Sequence, residues 1–126
     1  MDTDGVLAAN AAFYRAFTEA DLSAIDALLA REHPVAVIHP GWPAVSGRGP
    51  VMETWQTIFS QDTRSVHPVD PEAFIYGEVA LVIVYEKTGG VFLAATNIFV
   101  REEGEWRMVH HQAGPIPQPT PGSPLM

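Results

Sequence analysis

VALVIVYEKTGGVFLAATNIFVREEGEWRMVHHQA, residues 79–113, is the stretch whose reading decides the fold. Runs rich in Val, Ile, Phe, Tyr and Thr are separated by Gly89-Gly90 and Glu103-Gly104. Such dipeptides supply the positive backbone angles that two-residue hairpin turns need. The stretch therefore reads as three successive antiparallel strands, Val79 to Lys87, Val91 to Glu102 and Glu105 to Ala113. From Ser65 on the chain is strand-like, and a further strand, Ala73 to Tyr76, enters the meander through a Gly77-Glu78 turn.

The turns also set the register, because directly opposed residues of an antiparallel pair point to the same face. A two-residue turn at Glu103-Gly104 places Arg101 opposite Trp106, Phe99 opposite Met108, Asn97 opposite His110 and Ala95 opposite Gln112. Across Gly89-Gly90, Glu86 opposes Leu93, Val84 opposes Ala95 and Val82 opposes Asn97. Thr96, Ile98 and Val100 then share the other face with His111, Val109 and Arg107. A one-residue slip would exchange the two faces.

Working toward the N-terminus, residues 6–20 place Val6, Asn10, Phe13, Tyr14 and Phe17 at the three- and four-residue spacing of a helix face, with Asp2, Thr3 and Asp4 as candidate caps. A second helix is expected from Asp21 or Ser23 to Arg31, ended by His33-Pro34. Val35 to His39 reads as a short strand broken by Pro40-Gly41-Trp42-Pro43. A third helix follows from Pro50 to about Gln61, with Val51, Met52, Trp55, Ile58 and Phe59 inward. The tail from Pro115 carries five prolines, cannot continue a ladder, and reads as extended or unstructured. The expected organisation is one domain over residues 1–116 and a Pro-rich tail over residues 117–126.

Composition narrows the partners. Fifteen acidic against seven basic residues give a net charge of -8, which repels nucleic acid phosphates and anionic membranes. No apolar run approaches the roughly 20 residues of a membrane span, and no basic region precedes an apolar block at the N-terminus. With no cysteine, thiol chemistry and Cys-ligated metals are excluded. The expectation is a cytoplasmic protein with neither a nucleic acid nor a membrane partner.

Helices first and a curved antiparallel sheet after them is an α+β layout. The segments Ala12-Phe13-Tyr14-Arg15-Ala16-Phe17, His39-Pro40-Gly41-Trp42, Gly47-Arg48 with Trp55, Ala95-Thr96-Asn97, and Gly104-Glu105-Trp106 leading to His110-His111-Gln112 occur in an order that resembles the nuclear transport factor 2-like superfamily, within its SnoaL-like group. The resemblance spans about residues 5–116 and implies a cone-shaped roll of three N-terminal helices packed on the sheet. It also implies a homodimer paired through the convex sheet face. Similar proteins include ketosteroid isomerase, scytalone dehydratase, limonene epoxide hydrolase, polyketide cyclases and non-catalytic binding or assembly domains, so the fold does not choose the activity.

The expected concave pocket is apolar with a few converging polar groups, the usual makeup of a site for a small apolar or cyclic ligand. His110 and His39 are the candidate acid–base residues, with Asn97 and Gln112 polarising an oxygen and Glu86 orienting a histidine. Tyr14, Phe17, Trp42, Trp55, Phe59, Phe99 and Met108 are the candidate ligand-binding walls. The alternatives stand beside these roles: each histidine satisfies a buried polar position, and the tryptophans fill core. Trp42, in a loop after Pro-Gly, is the aromatic least demanded by packing. Adjacent His110 and His111 should face opposite sides of the sheet, so a shared metal is not expected and no cofactor is. His111 is expected at the convex interface. Gly47-Arg48-Gly49 could cradle an anion, or Arg48 could pair with an acid or cap a carbonyl. The functional expectation is cofactor-free acid–base chemistry of the isomerase, cyclase, dehydratase or epoxide hydrolase type, the alternative being a non-catalytic binding or dimeric assembly domain.

Overall fold

The computed structural model describes residues 2–61 and 65–117. Helix α1, Asp4–Thr18, buries Val6, Asn10, Phe13 and Tyr14 on one face, as their spacing dictates. Asp2 accepts the Asp4 N–H at 2.8 Å at its start. Helix α2, Leu22–Leu28, opens on Asp21, whose carboxylate accepts the Ala24 N–H at 3.0 Å. It ends three residues before the expected Arg31. Leu29 there turns extended and bridges to Met108, and the Ala30 N–H donates to the Met108 carbonyl at 2.9 Å.

Strand β1, Ala36–Ile38, pairs with β2, Val45–Ser46, a strand too short to leave a sequence signature. Helix α3, Arg48–Ser60, begins two residues earlier than expected. Pro50 still sits in its first turn, where backbone N–H groups lack helical partners in any case. The remaining strands are β3, His67–Tyr76, β4, Val79–Thr88, β5, Val91–Glu102, and β6, Glu105–Ile116. They form one six-stranded sheet in the order β2-β1-β6-β5-β4-β3. All pairings are antiparallel except β1 with β6. The architecture is α+β, three helices on a mostly antiparallel sheet.

Strand β3 is longer than expected because Pro68 and Pro71 do not stop it. It is an edge strand, and it absorbs the irregularity in a register shift between Val69 and Glu72, with Asp70 at φ 52°. The expectation that the chain leaves the ladder at Pro115 is likewise corrected: Leu93 opposes Pro115 and Phe92 opposes Ile116. The β1 partner has ended at Gln112, so β6 is an edge strand there, where proline is tolerated. The rest of the expected tail, residues 118–126, lies outside the described residues.

One irregularity decides the site. Glu103 and Gly104 both have positive φ, so the tight turn forms and Arg101–Trp106 and Phe99–Met108 pair as expected. The register then shifts: Ile98 opposes His110, Asn97 opposes His111 and Ala95 opposes Ala113, leaving Val109 as an extra residue on β6. The expected pairs Asn97–His110 and Ala95–Gln112 are corrected accordingly. Past this bulge every β6 side chain is on the opposite face from the expected one.

Candidate functional site

The inner sheet face and the helices enclose a buried polar cluster. Asn97 on β5 donates from Nδ2 to Asn10 Oδ1 at 2.8 Å and to the Tyr14 hydroxyl at 3.1 Å, both on α1. Its Oδ1 is the acceptor that remains, and His111 Nδ1 lies 2.6 Å from it. His111 therefore donates through Nδ1–H, and the lone pair of the neutral ring sits on Nε2. That nitrogen is 3.9 Å from Glu86 Oε2, which accepts the Tyr14 O–H at 2.7 Å. His39, just past β1, approaches Thr54 of α3 with Nε2 at 2.9 Å.

Burial sets the charges. It pushes the Glu86 carboxyl above the usual carboxylate range against the opposing pull of the Tyr14 hydrogen bond. Burial, reinforced by the Glu86 charge and hydrogen bond, raises the Tyr14 phenol and keeps it a donor. Burial lowers His39 from 6.5 to about 4. Burial, with repulsion from His39 and His110, lowers His111 from 6.5 to about 3. At neutral pH both imidazoles are uncharged bases.

These groups open on a cavity of about 220 Å³. Its lining combines buried His39, Glu86 and His111 with buried Val66 and Leu93, half-buried Phe17, Trp42, Ile58 and Thr88, and exposed Pro40. The His39 ring is edge-on to Trp42 at 5.3 Å and to Trp55 at 4.7 Å between centroids. A larger groove, about 450 Å³, lies outside, between α1 and the β5–β6 turn near Arg101 and Trp106. Its lining holds no buried cluster of polar side chains, so the smaller cavity is the chemical candidate. Among the described residues no three His, Asp or Glu side chains are gathered closely enough to hold a metal.

Of the residues singled out in the sequence, His39, Glu86, Asn97 and Tyr14 converge in this cluster, and Phe17 and Trp42 line the cavity. Two lie on the outer side of the sheet. His110 is half-buried on the outer face, its Nδ1 2.9 Å from the Ala36 carbonyl, and Gln112 is exposed; the extra residue at Val109 turned both out. The same bulge brings His111 in, against the expectation that it lies at the convex face. Trp55, Phe99 and Met108 are fully buried core. Phe59 packs on Trp55 at 5.6 Å and Phe17 at 6.2 Å rather than on the cavity. Residue types alone gave no reason to pick Asn10 or Thr54 as partners. Their signal is positional, a polar residue at a core-facing position of an amphipathic helix.

Arg48 is the carbonyl cap: Nη1 donates to the Leu29 and Ala30 carbonyls at 3.2 and 2.8 Å, and Nη2 pairs with Asp26 Oδ1 at 2.8 Å.

Residues 6–118 match the family model described as SnoaL-like domain. Among solved structures, a candidate dehydratase of the NTF2-like family from Streptomyces avermitilis is 30% identical, with a TM-score of 0.83 over 91% of this chain and 96% of that one. A candidate calcium/calmodulin-dependent protein kinase type II association domain from Thiobacillus denitrificans is 31% identical, with a TM-score of 0.78 over 86% and 93%. A candidate ketosteroid isomerase from Parabacteroides distasonis, at 11% identity and a TM-score of 0.69 over 85% and 84%, shares the fold. The F-box protein SKIP8 of Arabidopsis thaliana is 28% identical over 115 residues, 88% of this chain. The chain spans about half the length of that relative, 49%.

Proposed function

This chain belongs to the SnoaL-like family within the NTF2-like superfamily, and on that premise we propose that it binds a small, mostly apolar molecule in the 220 Å³ cavity and performs cofactor-free acid–base chemistry on it. The observation that carries this reading is the pair at the floor. His111 is a neutral base fixed in one tautomer by Asn97, and it lies 3.9 Å from Glu86, a carboxyl that burial inclines to keep its proton. Base and acid side by side suit dehydration. His111 Nε2 takes a proton from the carbon beside a carbonyl, the C–H pair becomes the new C=C bond, and the C–O bond breaks. The leaving oxygen takes the Glu86 proton and departs as water. The proton on His111 returns to Glu86 across a gap that one water or a small side-chain shift closes, which restores the site.

The experiment follows enone absorbance as the protein is mixed with a panel of cyclic β-hydroxy ketones. The native protein is expected to turn over at least one. His111→Ala should lower kcat by roughly two to four orders of magnitude, and Glu86→Gln should lower it comparably. Unchanged turnover in a folded His111→Ala variant would sink the reading.

A specific observation favours a second role beside the first. The outer sheet face carries Phe74, Leu81 and Tyr85, half-buried, with Tyr76 65% and Ile83 41% exposed, an apolar surface for a second copy. We propose a homodimer through this face, and the likeness to an association domain supports that. The net charge of -8 and the lack of cysteine support a cytoplasmic protein without nucleic acid or membrane partners. No helix among the described residues is long and apolar enough to cross a membrane.

A further inference from the structure

We propose that the cavity selects an uncharged, ring-sized molecule carrying two hydrogen-bond donors, and that His39, held by Thr54, reads one of them. This rests on the reading of the cavity as a ligand site and deepens it. The Thr54 hydroxyl donates its single proton to the Val51 carbonyl at 2.6 Å. Toward His39 Nε2, 2.9 Å away, it can therefore only accept. Neutral His39 thus carries its proton on Nε2 and presents the lone pair of Nδ1. Among the described residues Nδ1 has no protein partner, and the polar side-chain atom sealed without one is Trp55 Nε1. His39 lines the cavity, and its Nδ1 lone pair is the group this proposal offers to a ligand there.

The facing wall obeys the same logic. Asn97 fixes the His111 proton on Nδ1, so Nε2 also shows a lone pair. The two ring centroids are 6.1 Å apart. A ligand therefore meets two fixed acceptors and must bring two donors, or leave one of them unpaired. Among the described residues the lining holds no Lys or Arg, so an anionic ligand would be stripped of water against two lone pairs with no described cation to balance it. The volume sets the size: cavities of roughly 150 Å³ hold benzene, so about 220 Å³ holds one substituted ring.

Three 1,3-disubstituted benzenes separate the possibilities by isothermal titration: 1,3-benzenediol, its dimethyl ether, and isophthalate. The diol is expected to bind the native protein at least about 10-fold more tightly than the ether, and isophthalate not to bind. Thr54→Val keeps the shape but deprives the His39 Nε2 proton of its acceptor. The proton then favours Nδ1, and the cavity-facing atom becomes a donor. The diol preference should fall by about tenfold, with His39 changing tautomer in long-range ¹H–¹⁵N spectra; Thr54→Ser should behave like the native protein. Equal binding of the ether or of isophthalate, or no binding of the diol at millimolar concentration, overturns the proposal. So does an unchanged preference and tautomer in folded Thr54→Val, and the native ranking decides even if that variant does not fold. Diol binding with no turnover of any hydroxy ketone would leave this inference standing and count against the dehydration chemistry. Turnover of ligands that lack donors would do the reverse.

Discussion

Glu102 is a buried carboxylate at the end of β5, where its two oxygens receive the N–H groups of Arg31, Glu32 and His33 at 2.8 to 3.1 Å, and His33 Nδ1 lies 2.7 Å away. Burial pushes its pKa up, but the Arg31 N–H, His33 and the Glu32 N–H outweigh burial and hold it at about 2. The unfolded chain takes up this proton near 4.5, so Glu102 withdraws stability as pH falls from about 4.5 to about 2. His39 and His111 act at higher pH. They stay unprotonated when folded down to about 4 and about 3, while the unfolded chain binds protons near 6.5. The unfolded state then binds more protons, and stability falls as pH drops below 6.5. Glu86 has the opposite sign, because burial lets the folded state keep a proton that the unfolded chain releases above about 4.5; one such group opposes two histidines. Thermal melts should show Tm falling from pH 6.5 downward, with Glu102→Gln flattening only the limb below about 4.5. A Tm constant between pH 6.5 and 4.5 in the native protein would contradict the placement of both histidines.

At the scale of elements, two devices hold the site in place. Arg48 ties the start of α3 to the end of α2 through the Leu29 and Ala30 carbonyls. Arg48→Ala should cost about 2 kcal/mol in urea unfolding with little change in m, and Arg48→Lys should recover little, since one ammonium cannot span the guanidinium fork. Full rescue by lysine would show that charge, and not the fork, matters. The β6 bulge is the second device. The three long strands and both tight turns were legible in residues 79–113, because their chemistry is local: β-branched runs, glycines at positive φ. The bulge was not, since Arg107-Met108-Val109-His110-His111-Gln112 contains neither Gly nor Pro to mark it. It arises from the sheet as a whole, where β6 is gripped from both sides, by β5 and by the parallel β1 beginning at Ala36–His110. One trace was present in the sequence. Shifting the register puts Ala113 inside and Gln112 in solvent, a better division of apolar and polar side chains than the unshifted pairing. The early end of α2 was hidden for the same reason, because the groups that replace its last turn come from Met108 and Arg48, far along the chain.

On the scale of the whole molecule, one aromatic and polar interior serves both stability and site. Phe13 packs on Tyr14, Phe17, Trp55 and the His111 ring, with centroids 4.8 to 5.9 Å away. Phe13→Leu should cost about 1–2 kcal/mol and also loosen the cavity floor, so it should weaken ligand binding where a surface change of equal cost does not. The outer face answers to assembly. Ile83→Lys on the proposed dimer face should give a monomer in sedimentation velocity at micromolar concentration with the melting profile of the subunit retained; a native protein already monomeric there removes the dimer. The fold was readable because helices before a meander leave few ways to cover a curved sheet. The site was readable only by halves: Tyr14, Glu86 and Asn97 follow from helix and strand periodicity, whereas His111 depends on a long-range register. The decisive measurement titrates 1,3-benzenediol into the protein while following histidine ring nitrogens by long-range ¹H–¹⁵N NMR. Shifts are expected at His39 Nδ1 and His111 Nε2, with His110 unmoved. Shifts at His110 while His111 stays still would rule out this cavity as the ligand site.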